Sequence, residues 1–385
     1  MSQQLPIQNI LISGASIAGL TLAYWLKQYH FNVTVVEQGA GPRMGGSPID
    51  VRGQALDVAA RMGILPQVQA AQVGTDGMTF VNASGKPIGK VNPNQFDEQP
   101  GEDVELRRDV LVDILYGLTK ESVDFLFQDT ITALKQDETG VDVTFAHHEA
   151  RQFDVVIGAD GLHSAVRRLV FGEEAQFVRY LGMYVSIVEV GPETNAQANR
   201  VTFYNTPGRM AGLSRYPDQD YAMFVFRSPK LHYDYHSIQE KKHLLLNAFA
   251  GESAWEVPQL LDAVRDAPDL YIDEVSQVRM PHWSQGRVAL IGDAAHCAAF
   301  LSGMGSTLAM VGASTLAEEL ARAHADYRQA FTQYEKIMRP IVEPTQARVP
   351  EVARFFVPTT SFGIWARNQL THFMPLLEAF SSRNK

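Results

Sequence analysis

Asn9-Ile10-Leu11-Ile12-Ser13-Gly14-Ala15-Ser16-Ile17-Ala18-Gly19 decides the fold, and Asn32-Val33-Thr34-Val35-Val36-Glu37 completes its reading. The first five residues form a short apolar run stopped by glycine, which is the pattern of a buried strand. Ile17 to Tyr29 reads as a helix. The β-branched run that follows reads as a second strand, so the chain opens on a βαβ unit. Gly14, Ser16 and Gly19 fall at the spacing of the dinucleotide fingerprint, with Ser at the second glycine position. The first Gly allows the tight turn, a small second residue lets backbone approach a pyrophosphate, and the third lets helix and strand pack closely. The N–H groups of Ile17, Ala18 and Gly19 and the positive end of the helix dipole then face the phosphates. Glu37 ends the second strand 18 residues after Gly19, where a carboxylate accepts ribose hydroxyls. The same residues resemble a G-x-S-x-G nucleophile elbow, but Ala18 stands at the second Gly and this is the first strand.

Further along, Leu111 to Lys120 reads as helix and Phe153 to Gly158 as another buried strand. From about Gln176 to Arg227 the character changes. Met183 to Val188, Arg200 to Tyr204 and Tyr221 to Phe226 are strand-like, with turns at Asn205, Pro207-Gly208 and Pro217-Asp218. This is an antiparallel sheet inserted between pieces of the first domain. Glu240 to Phe249 returns to helix, Arg287 to Ile291 to buried strand. Beyond Leu308 the chain reads as mostly helical, with Pro340, Pro344, Pro350 and Pro358 marking breaks.

The chain has 385 residues, 45% of them hydrophobic and 20% charged, a balance that excludes a disordered or collagen-like chain. With 33 basic and 43 acidic side chains the net charge is −10, which argues against general binding to nucleic acid or to anionic membranes. Cys297 is the single cysteine, so no internal disulfide forms, a cysteine-based zinc site is excluded, and a reducing, cytoplasmic setting is expected. The apolar stretch Ile10 to Leu26 has no basic residue before Lys27, unlike an export signal. No membrane span is expected. His232 and His236 are four apart, but no third ligand is evident, so no metal site is assigned.

Three further segments identify the chain by resemblance. Asp154 to Arg167 (DVVIGADGLHSAVR) is similar to the Asp-Gly motif of the single-component FAD-dependent aromatic hydroxylases. Gly286 to His296 (GRVALIGDAAH) resembles their second FAD motif, and Glu105 to Leu111 their R-x-x-L segment. Gly45 to Gly53, Leu301-Ser302-Gly303 and the helical tail are most similar to the tetracycline-inactivating flavin monooxygenases. The chain departs from the family pattern after His296. Where the family often has a Pro-Pro pair, this chain has Cys297-Ala298-Ala299-Phe300; the usual Gly-Gln-Gly is Gly303-Met304-Gly305.

The resemblance implies a para-hydroxybenzoate hydroxylase-like α/β fold. Its parts are a Rossmann-like FAD-binding domain (1–75, 98–174, 270–340), an inserted antiparallel-sheet substrate domain (76–97, 175–269) and a C-terminal helical region (341–385) that packs as core or acts as a lid. It implies tightly bound, non-covalent FAD held by Gly14, Ser16, Ile17, Ala18, Gly19, Glu37, Asp50, Arg52, Arg108, Asp160, Gly161, Asp293, Gly303, Met304 and Gly305, with Arg108 favoured over Arg107. Glu37 would take the adenosine ribose and Asp293 the ribityl chain. NAD(P)H is the transient co-substrate, O2 adds at flavin C4a, and the hydroperoxide delivers oxygen to an aromatic or polycyclic molecule, tetracycline among them. The flavin carries this chemistry, so no protein nucleophile is obligatory. Of Met183, Met210, Met223 and Phe224 on the inserted sheet, two are expected to touch substrate. A monomer is expected. Two alternatives stay open: a flavoprotein oxidase or dehydrogenase without oxygen insertion, and a non-catalytic FAD-binding protein.

Overall fold

The computed structural model describes residues 7–42, 48–75, 77–91, 103–191, 199–216, 219–235, 237–323 and 326–381, with side chains to residue 371. Gly45-Gly46-Ser47, Pro217-Asp218 and His236 lie outside the described residues. The chain divides into two compact units. One comprises Met1–Gln72, Glu102–Arg179 and Ser276–Val349; the other comprises Val73–Gly101, Tyr180–Val275 and Pro350–Lys385.

The first unit is built on a six-stranded sheet. Asn9–Ser13 lies at its centre, parallel to Asn32–Glu37 on one side and to Val155–Gly158 on the other. Asp124–Phe127 extends the sheet beyond Asn32–Glu37, and Val288–Leu290 extends it beyond Val155–Gly158, both in parallel. Ser284–Gln285 closes that edge antiparallel. Ile10, Leu11, Ile12, Val155, Val156 and Ile157 are fully buried. Strands covered on both faces need this unbroken apolar run rather than alternation. The helix Ile17–Gln28 is buried nearly all round, which explains why its sequence carries no polar stripe. Strand order reverses between Asn9–Ser13 and Val155–Gly158. In open α/β sheets, ligands bind at such a reversal, beyond the carboxyl ends of the strands.

The second unit carries a seven-stranded sheet in the order Tyr271–Val278, Val178–Val190, Asp220–Arg227, Arg209–Arg215, Arg200–Thr206, Met78–Val81 and Pro87–Val91. One face, with Tyr184, Val188, Ala211, Leu213, Ala222, Phe224 and Phe226, packs with Leu245, Phe249, Leu260 and Val264 from two helices. Phe224 therefore does not share a surface with the methionines. Its ring meets Phe249 edge-on at 5.0 Å, whereas Met183, Met210 and Met223 stand on the opposite face. The two-residue period of a strand enforces that separation, because Phe224 and Met223 are adjacent.

The prolines do not break the tail where the sequence suggests. Tyr327–Phe356 is one 30-residue helix that contains Pro340, Pro344 and Pro350. All three rings are exposed, while Tyr327, Phe331, Tyr334, Met338, Val342 and Val349 bury the opposite side. Tertiary burial of that apolar stripe outweighs the lost helix hydrogen bonds. Pro358 does lie in a break between helices, and Ser361–Ser381 forms the last helix. Among the described residues no helix is long and apolar enough to cross a membrane.

Candidate cofactor site

The glycine turn is built by close approach. Gly14 has φ +108°, and a Cβ there would lie 2.5 Å from the Ala159 carbonyl oxygen. A Cβ on Gly19 would lie 1.9 Å from the carbonyl oxygen of Gly14. A larger residue at Gly14 would push the Ala159 loop away, and one at Gly19 would move the helix off the turn and strand. Ser16 is the N-cap residue, but its side chain does not cap. Its Oγ instead accepts a hydrogen bond from Arg108 Nη2 at 2.7 Å. A guanidinium, rather than an imidazole, meets this hydroxyl, which removes the nucleophile-elbow reading. The first-turn N–H groups have no intrahelical partners and point beyond the sheet edge. Glu37 braces the turn, its carboxylate accepting from the N–H of Ala15 at 2.8 Å and of Gly39 at 2.9 Å.

The neighbouring loop begins where Ala159 N–H bonds to Ser13 at 2.8 Å. The Asp160 carboxylate accepts from Ser164 Oγ at 2.5 Å and from Val166 N–H at 3.0 Å. Burial raises its pKa, and these hydrogen bonds oppose the rise. Gly161 has φ +82°, and a Cβ there would meet nothing. Arg167 is fully buried, donating to the carbonyls of Ala294 at 3.0 Å and Leu162 at 2.6 Å, with Glu174 at 3.5 Å. It ties the Asp160 loop to the Asp293 loop. A Cβ on Gly292 would lie 3.1 Å from Ala18 Cβ, so the turn that leads into Asp293 packs against the first turn of the opening helix.

The third element joins Asp50 and Arg52 to the helix Gly305–Ala323. Arg52 Nη2 pairs with Asp50 at 2.8 Å, and its Nε lies 3.6 Å from Asp103. Ser306 Oγ donates to the Asp50 carbonyl at 2.5 Å, and Arg52 N–H donates to Thr307 Oγ1 at 3.2 Å. Gly303 is left-handed at φ +62°, with Asp50 Oδ2 3.8 Å from its Cβ position. Met304 N–H donates to Ser302 Oγ at 3.2 Å. A Cβ at Gly305 would meet nothing.

Gly14 to Gly19, Glu37, Asp50, Arg52, Arg108, Asp160, Gly161, Asp293 and Gly303 to Gly305 thus all belong to the first unit. Arg107, by contrast, pairs with Asp109 through Nε at 3.1 Å and through Nη2. Sequence reasoning missed Asp103, Ser306 and Thr307. An elongated anionic cofactor fits this edge. Two helix N-termini flank it, and the empty space beside Gly161 and Gly305 admits a ligand where a side chain would intrude.

His296 is 1% exposed, with Nε2 3.2 Å from Tyr334 Oη, and burial lowers its pKa to about 4. It is neutral at ordinary pH. His163 pairs with Glu174 at 3.1 Å and His282 is exposed.

The FAD binding domain family matches residues 8–348. An uncharacterized protein of Mycobacterium tuberculosis (strain ATCC 25618 / H37Rv) is 42% identical over 344 residues, covering 88% of this chain and 92% of that protein. A flavin-dependent monooxygenase from an unknown prokaryotic organism is 35% identical over 371 residues, covering 96% and 92%. The crystal structure of the tetracycline destructase Tet(55) superimposes with a TM-score of 0.82 at 34% identity, over 95% of each chain. The chain belongs to the FAD-binding-domain family, shares the fold of the FAD-dependent hydroxylases, and is an oxidoreductase.

Proposed function

We propose that this oxidoreductase takes electrons from NAD(P)H and inserts one atom of O2 into an aromatic or polyketide-like small molecule, with a tetracycline the first substrate to test. The observation that carries the reading is the gathering of three glycine-bearing loops at the strand-order reversal of one sheet. The monooxygenase relatives and the destructase likeness support it.

The chain's residues divide the cofactor among them. Gly14, Ser16, Ile17, Ala18 and Gly19, with Arg108 beside them, take the pyrophosphate. Glu37 takes the adenosine ribose, since each carboxylate oxygen keeps a lone pair beyond its backbone bond. Asp160 and Gly161 shape the loop beside it, and Asp293 takes the ribityl hydroxyls. Asp50, Arg52, Gly303, Met304 and Gly305 hold the ring end, where helix N–H groups favour negative charge. The chemistry that these residues would position is that of FAD, which would supply a hydride acceptor and oxygen activation once bound. On the face bearing Met183, Met210 and Met223, the first two are buried and Met223, partly exposed, is the residue left to line an apolar substrate. The single cysteine matches a cytoplasmic setting.

The test is substrate-stimulated oxidation of NADH and of NADPH across a phenol and tetracycline panel, under oxygen-18 gas. Label in the product supports the reading. Oxidation that returns all the oxygen as hydrogen peroxide, with every substrate unlabelled, overturns it in favour of an oxidase.

A further inference from the structure

The segment between Asp293 and Gly305 contains a residue in a conformation foreign to it. Ala299 has φ +80° and ψ 153°, a region that only glycine occupies freely, and it is 5% exposed. Such a residue persists only where its surroundings hold it. The three carbonyls immediately before it end on two buried amides. Gln346, 4% exposed, places the two hydrogens of Nε2 among three carbonyls, those of Val278 at 2.8 Å, Cys297 at 3.1 Å and His296 at 3.3 Å, and the Cys297 carbonyl also accepts from Val278 N–H at 3.1 Å. Gln277, 2% exposed, donates Nε2 to Ala298 O at 3.2 Å and to Gln346 O at 2.8 Å. That last carbonyl is available because Pro350, four residues on, has no N–H to give it. Arg279 donates to Gln277 Oε1 through Nε at 3.0 Å and Nη2 at 2.9 Å, fixing which way the amide points.

Both glutamines lie outside every cofactor motif. Leu or Met would fill the same core volume without buried polar atoms to satisfy. The clamp falls where the family pattern has rigid prolines and this chain has none.

We propose that Gln277 and Gln346 are positioning residues that hold residues 296–299, with Ala299 in its glycine-like conformation, so that Gly303 and Gly305 are presented correctly to the flavin. The proposal rests on the FAD-site reading and extends it to residues that do not touch the cofactor.

The test is a double-mutant cycle on purified protein with FAD, read by FAD dissociation constant, visible flavin spectrum and midpoint potential alongside Tm. Gln346→Met is expected to weaken FAD binding at least tenfold and to shift the spectrum. In an Ala299→Gly background the same change is expected to have less than a threefold effect, because glycine adopts φ +80° without the steric cost that alanine needs the clamp to offset. Gln277→Met, which removes the bond to Ala298, gives the same pattern if Gln346→Met does not fold. Unchanged binding, spectrum and potential with a lowered Tm would show that the amides only satisfy core carbonyls, and would overturn the proposal. An equal effect in both backgrounds overturns the link to Ala299. Absence of FAD binding by the unaltered protein sinks the site reading instead.

Discussion

Gly305→Val separates the cofactor site from folding. A Cβ at this position has no atom of the chain within 4 Å, and the residue opens a 19-residue helix. Helix propensity differs between Gly and Val by only about 0.5 kcal/mol, so the apoprotein should unfold at nearly its normal urea midpoint. The new side chain occupies the space in front of the helix N–H groups. Each hydrogen bond to a charged partner is worth about 1.5–3 kcal/mol, so losing one raises the FAD dissociation constant roughly 10- to 100-fold. Titration by flavin fluorescence quenching measures the first quantity and urea denaturation the second. FAD affinity within twofold of the original, with normal stability, would refute the placement of the flavin at this helix. Gly19→Ala is the contrasting case. Its Cβ meets the Gly14 carbonyl oxygen at 1.9 Å, so both stability and affinity should fall.

Three further outcomes are expected. His296 is held neutral in the fold with its pKa lowered by burial from 6.5 to about 4, so the unfolded chain binds the extra proton between these values. Stability is fully present above pH 6.5 and falls by about 3 kcal/mol as pH drops towards 4; Gln in its place should flatten that slope in urea titrations across the range. Arg367 is 6% exposed, stacks 3.6 Å above the Phe80 ring and donates to Asn205 Oδ1 and Asn368 Oδ1, each at 3.0 Å. Arg367→Ala should cost about 2–4 kcal/mol in thermal or urea unfolding, by leaving two buried amide oxygens unpaired and opening a cavity. Deleting residues 359–385 removes this contact and the Thr371 side chain packed near Gly89, so loss of stability, seen as a lower Tm, should precede any change in uncoupled NAD(P)H oxidation.

Short-range rules made much of this protein legible from its residues. An apolar run, a glycine and a helix start within eleven positions specify a tight βα turn, because backbone sterics and unpaired helix N–H groups act over a few residues. The motif strings Asp160-Gly161 and Gly292-Asp293 were likewise readable as chemistry. What tertiary structure alone decided were matters of long-range pairing. Arg107 and Arg108 are neighbours in sequence, yet one pairs with Asp109 and the other reaches Ser16, 92 positions away. Phe224 reads like a pocket residue beside Met223, but sheet register and two covering helices turn it into core. Pro340, Pro344 and Pro350 read as helix stops, and the burial of the opposite helix face overrode them. Nothing local marks Ala299 for a positive φ. That conformation exists because Gln277 and Gln346, brought from 22 residues before and 47 residues after in the chain, hold the carbonyls preceding it.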